Sequence, residues 1–276
     1  MWPGRLRDMI SEAVFDAAAD AVVNGDEAAL RALLAQHPDL IRARSRRHGA
    51  GLLHYISANG VENARQKTPA NAVAITRLLL AAGADPNAQA DFYSRPSTTL
   101  YLLVSSGHPH KAGLQAELAN CLLDAGAKAD DALLTALAFG YGDTAESLAR
   151  RLPVDTLPVA AGLGRLDVFD NALNQAPGDV RHQALALAAL HGRIAVLERL
   201  VAAGEDLNRL NPMGFHGHAT PLHLAVWKGH EDAVRWLVGH GARIDIPDAI
   251  HFGTPLGWAR HEGQAAIARY LESRTV

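Results

Sequence analysis

The feature that most constrains this chain is a glycine that returns with the same neighbours. Gly25, Gly60, Gly107, Gly140, Gly164, Gly192, Gly229 and Gly263 succeed one another at intervals of 35, 47, 33, 24, 28, 37 and 34 residues. Around Gly229, Leu222 and Ala225 precede it by seven and four positions, and Val234 and Leu237 follow by five and eight. The same pattern surrounds Gly25, Gly140, Gly164, Gly192 and Gly263, and its first half surrounds Gly60 and Gly107. Those offsets place one apolar stripe on each of two short helices. The glycine between them takes the left-handed turn that ends the first helix at least cost. A single pair of this kind cannot bury its stripe, so the pairs must stack to make a core. Composition agrees: 49% of residues are hydrophobic but only 5% are aromatic, which favours thin, closely packed helices over a bulky core.

The clearest unit is "TPLHLAVWKGHEDAVRWLVGHGARID", Thr220 to Asp245. Thr220 is placed to cap a helix, and Pro221 sits at the first helical position, where a missing N–H costs nothing. The segment resembles the ankyrin repeat, whose length is near 33 residues. The resemblance implies an all-α ankyrin-repeat solenoid of about eight helix–turn–helix units, joined by hairpin-like fingers and curved around a concave face. The expected organisation is a single domain over 1–276, with capping repeats at 11–45 and 251–276. The spacings of 24 and 28 leave room only for short turns in "RRLPVDTLPVAAG" and "NQAPGDVRHQ". A narrower resemblance, to a group of bacterial ankyrin-repeat proteins, rests on "LLHYISANGVE", "RQKTP", "STTLYLLVSSGHP" and "GTPLGWARHEG". It implies that the group shares the insertions described next, and it supplies no catalytic residues.

Two neighbouring repeats carry extra chain between their helices. The distance from Gly60 to Leu79 is 19 where 8 is normal, and that from Gly107 to Leu122 is 15. The insertions are residues 61–71, "VENARQKTPAN", and 108–114, "HPHKAGL". Insertions in repeat proteins map to one face, often the binding face, so these two are expected side by side. They offer Glu62, Asn63, Arg65, Gln66, Lys67, His108, His110 and Lys111. The preceding inner helices add Tyr55, Asn59 and Ser105, and the finger between them adds Tyr93 and Thr98. The plain alternative is a pair of solvated loops, polar only because they face water.

Further contact candidates are His191, Trp227, Trp258 and His261 on inner helices, with Phe92, Phe215, His251 and Phe252 on fingers. His223 and His54 hold the histidine position of the Thr-Pro-Leu-His pattern, where a ring bond to the adjoining finger is the ordinary role. Two functions follow. The first is a binding protein whose concave face and insertions take a protein or peptide. The second is a small-molecule or catalytic pocket under the insertions, with Glu62, His108, His54 and Lys67 as candidate catalytic groups. There Arg65 and Lys67 would hold an anionic end of a small polar ligand, by metal-independent acid–base chemistry. No phosphate loop, Gly-X-Ser-X-Gly or His-Glu-X-X-His motif is present, and no cofactor is expected. His108/His110 and His216/His218 lack a third ligand at metal-site spacing. Cys121 is the one cysteine and lies on an apolar stripe. A net charge of −3 without a basic stripe disfavours nucleic acid, and no run is apolar enough for a membrane span. A cytoplasmic monomer is expected.

Overall fold

The computed structural model describes residues 10–275. Its contacts cluster into two compact units, one ending at Thr135 and one beginning at Ala136. Little strand is present: the chain is all-α, built of paired short helices, as the glycine pattern predicts.

In the first unit, helices α1 (Glu12–Asn24) and α2 (Glu27–Gln36) form the first pair. The second pair is a 3-10 helix, Leu52–Ser57, with α3 (Ala72–Ala81). The strands β1 (Gln89–Phe92) and β2 (Arg95–Thr98) form an antiparallel finger that leads into α4 (Thr99–Val104). Helices α5 (Gly107–Lys111) and α6 (Gln115–Asp124) follow, and α7 (Ala132–Ala138) contains the unit boundary. Two glycines depart from the register. The second inner helix ends at Ser57 on Ala58, whose φ is 49°, two residues before Gly60. Gly107 ends no helix; it begins α5, so the second insertion extends into a helical turn of its own.

The second unit holds α8 (Gly142–Ala149), α9 (Leu157–Leu163), α10 (Leu166–Leu173), α11 (Gly178–Leu190) and α12 (Ile194–Ala202). It continues with α13 (Pro221–Trp227), α14 (Glu231–Gly239), α15 (Pro255–His261) and α16 (Ala265–Glu272). Inner helix packs on inner helix: α9 on α11, α11 on α13, α13 on α15. That is why α9 and the core of α11, Ala184 to Leu190, are buried on every side. Alanines let the axes approach closely, while Phe169, Val196, Leu197 and Leu200 close the core from the outer helices. Thr220 does not cap α13 through a backbone amide. Its hydroxyl pairs with His223 Nδ1 at 2.8 Å, and that nitrogen also accepts from Thr220 N at 3.2 Å. His223 Nε2 therefore carries the proton and donates to Gly253 O at 3.1 Å, tying the helix to the next finger.

Within each unit, fingers join one another. Asp91 N donates to His48 O at 3.0 Å in the first, and Ala249 N to His218 O at 2.8 Å in the second. A second clasp repeats across both units. Asn87 Nδ2 donates to Gly126 O at 2.9 Å and its Oδ1 accepts from Lys128 N at 2.7 Å. Asn208 does the same with Gly241 O at 3.1 Å and Arg243 N at 2.8 Å. Each asparagine is set by an aspartate two residues earlier, Asp85 or Asp206, accepting from its backbone N–H.

Candidate interaction site

The second unit presents a groove of about 680 Å³ lined by two finger histidines, His216 and His218, and by Trp227 and Trp258 from α13 and α15. His251, His261 and Glu262 form its rim. The aromatic walls are held in place. Trp258 Nε1 donates to Asp248 Oδ2 at 3.0 Å. That buried carboxylate also accepts from the backbone N–H of Ile250, His251 and Gly253 at 2.7–2.9 Å. Burial alone would raise the Asp248 pKa; the hydrogen bonds from His251, Trp258, Ile250 and Gly253 hold it well below the usual carboxylate range. His216 Nε2 donates to Ala138 O at 2.8 Å, and its ring meets the Trp227 edge with centroids 5.1 Å apart. His218 leans on Trp258, centroids 5.9 Å apart. Lys228 Nζ lies 4.1 Å from the Trp227 ring centroid and donates to Phe139 O, and burial lowers its pKa. The result is a rigid apolar groove with a polar rim, the form that suits an apolar side chain of a bound segment.

Of the sequence candidates, Trp227, Trp258 and His261 meet in this groove, with His251 at its edge. His191 lies elsewhere: its Nε2 bonds Leu137 O at 2.9 Å, and burial lowers its pKa to about 4. Phe252 is exposed at a finger tip with φ 54°. His216 and Asp248 were not singled out in the sequence as groove residues. The "HGH" pair and the aspartate five before a finger glycine are signals visible only once the fingers are placed.

In the first unit, the polar candidates divide. Tyr93 Oη donates to Asn59 Oδ1 at 2.6 Å, and Asn59 Nδ2 donates to Ser105 Oγ at 2.9 Å and Leu102 O at 3.1 Å. These groups satisfy one another and splint neighbouring repeats. Thr98 accepts from Tyr101 N and caps α4. Gln66 Nε2 folds back on Val61 O at 2.8 Å. Phe92, expected as a finger contact, is buried against Gly60, His48 and His54. His54 is buried too, with Nδ1 accepting from Gly51 N, and burial followed by the Arg44 charge lowers its pKa to about 4. At neutral pH it is a neutral core residue, not an acid–base group facing ligand.

The first insertion leans on the first repeat. Arg65 bonds Asp16 at 2.8 Å and Asp20 at 2.7 Å, both on α1. Lys67 Nζ reaches Asn24, and Asn71 Nδ2 donates to Gly25 O at 2.9 Å. Arg65 is thus engaged by carboxylates, which corrects its expected role as a free anion clamp. Glu62 and Arg65 front a polar cleft of about 280 Å³ shared with α1 and the Arg44–Arg47 finger. Neither Lys67 nor His108 lines it; His108 is exposed on α5. Among the described residues, no group of three His, Cys, Asp or Glu is placed to hold a metal ion, and no helix is long and apolar enough to cross a membrane.

Comparison with known proteins agrees with the fold. The family profile for ankyrin repeats (three copies) matches residues 157–248. Ankyrin repeat and SOCS box protein 6 of Mus musculus is 31% identical over 137 residues, covering 48% of this chain and 30% of that protein. The chain thus spans less than a third of that relative's length. Cyclin-dependent kinase 4 inhibitor B of Mus musculus is 31% identical over 121 residues, covering 33% of this chain and 92% of the inhibitor. The crystal structure of the human ASB11 ankyrin repeat domain aligns with a TM-score of 0.47 at 20% identity, over 94% of this chain and 97% of that one. The chain belongs to the ankyrin-repeat family.

Proposed function

We propose that this protein is a binding module, and that the groove between Trp227 and Trp258 seats a side chain of a protein or peptide partner. The observation that carries this reading is the fixed aromatic pair. Trp258 is anchored by Asp248, and Trp227 is flanked by His216 and Lys228, so little side-chain entropy is lost when a partner docks. The relatives include a kinase inhibitor, a protein that by its name acts on another protein. Selection from a displayed library of random peptides tests the reading, with binders counted only if they discriminate the Trp227→Ala variant. Sequences that bind wild type and lose at least about tenfold in affinity on that substitution support it. Recovery of no binder, or of binders indifferent to Trp227, sinks it.

A second reading applies to the first insertion. Glu62 and Arg65 front the cleft in the first unit, and this favours a small polar ligand there. In that reading His108 and Lys67 take no part, and no bond-making step is assigned. Ligand-induced shifts of the Glu62, Arg65 and Ser45 amide resonances test it, and a survey of polar metabolites that moves none of them rejects it.

A further inference from the structure

The cleft in the first unit is built of two chemically distinct parts. Its inner part holds a buried carboxylate oxygen. Glu62 Oε2 has no hydrogen bond among the described residues; Arg65 Nη1 stands 3.7 Å away and is already bonded to Asp16. Orphaned buried groups of this kind are rare in folded proteins and mark a missing partner. Glu62 thus offers an acceptor that lacks a donor.

The outer part is cationic. Arg44, Arg46 and Arg47 line it from a single finger. Arg44 Nη1 is fixed by two backbone carbonyls, Gly49 O at 3.1 Å and Gln89 O at 3.0 Å, so its orientation is set while its charge is not neutralised there. Arg46 approaches Glu12 only at 3.6 Å, with both side chains exposed. Arg47 has no carboxylate partner among the described residues. The Glu62 carboxylate and the anion-seeking rim lie within one cleft of about 280 Å³, the volume of a small metabolite and below that of a drug-sized pocket.

We propose that this cleft binds a compact zwitterion of amino-acid size, its ammonium group on Glu62 and its carboxylate on Arg44 and Arg47. The proposal rests on the second reading above and names the ligand class that reading leaves open. The ammonium supplies the donor that Glu62 Oε2 lacks, and the carboxylate meets guanidinium groups in the geometry they favour. Arg65, locked between Asp16 and Asp20, positions Glu62 without contacting the ligand itself.

The test uses the full chain labelled with nitrogen-15 and titrated with the common α-amino acids. Matched probes are the N-acetyl derivative, which removes the ammonium, and the amino-acid amide, which removes the carboxylate. The expected result is at least one amino acid that saturates shifts at Glu62, Arg65 and Ser45. Both blocked analogues, and the exposed Arg47→Gln variant, should bind at least about tenfold more weakly. Glu62→Gln should lose affinity while leaving the remaining amide spectrum in place. Equal binding of the blocked analogues overturns the zwitterion, as does binding of inorganic phosphate or an alkylamine alone at the same amides; in those cases the ligand-site reading survives. Silence of these amides to every probe removes both.

Discussion

Asp248 binds four N–H donors with one buried carboxylate, three from its own finger and one from Trp258. Removing it leaves four part-buried donors unmatched, a larger cost than the bonds themselves were worth. Asp248→Ala is expected to destabilise by about 2–4 kcal/mol, seen as a melting temperature roughly 5–10 °C lower. Trp258 fluorescence should shift red at the same time as the indole loses its anchor. An unchanged melt would show that the finger holds Trp258 by packing alone. The residue scale also explains why single side chains were hard to read in sequence. Tyr55 and His54 carry polar tips, which in sequence suit a contact surface, yet both are buried in the fold. Arg65 looks like a free cation in "NARQK" until α1 brings Asp16 and Asp20 across it.

At the scale of elements, the helices were legible because their apolar offsets repeat, and the fingers were not. The β1–β2 finger turns through Tyr93 and Ser94, with φ of 53° and 60°. A two-residue hairpin with both residues left-handed usually carries asparagine or glycine. Here the Tyr93 hydroxyl bond to Asn59 offsets part of that strain. A non-glycine residue in this region costs about 1–2 kcal/mol, and glycine gives back part of the relief as unfolded-chain entropy. Ser94→Gly is therefore expected to stabilise the protein by about 0.5–1 kcal/mol. Chemical denaturation would measure it as a higher midpoint, and a lower one would refute the turn strain. The 3-10 form of Leu52–Ser57 was equally hidden, because its spacing of leucine and isoleucine fits an ordinary helix as well.

At the scale of the whole molecule, neutral histidines are built into both units. Burial lowers the pKa of His54 and His191 from 6.5 to about 4, and lowers those of His182, His216, His223 and His230 as well. Their folded values lie below the unfolded one, so their contribution is whole above about pH 6.5 and is lost as pH falls toward 4. His54 and His191 alone make the fold about 2 kcal/mol less stable each at pH 5 than at pH 7. Thermal melts at those two pH values should differ by roughly 5–10 °C, with the lower melt in acid. His54→Gln should narrow the gap, and equal melts would contradict it. The sequence by itself determined the repeat and the pairing of its helices, because helix pairing is a local pattern of apolar offsets and turn residues. The tertiary structure alone decided which polar groups are spent on holding repeats together and which are left facing a cleft. Those partners, such as Arg65 with Asp16 across 49 positions, are set by stacking and leave no mark in local spacing.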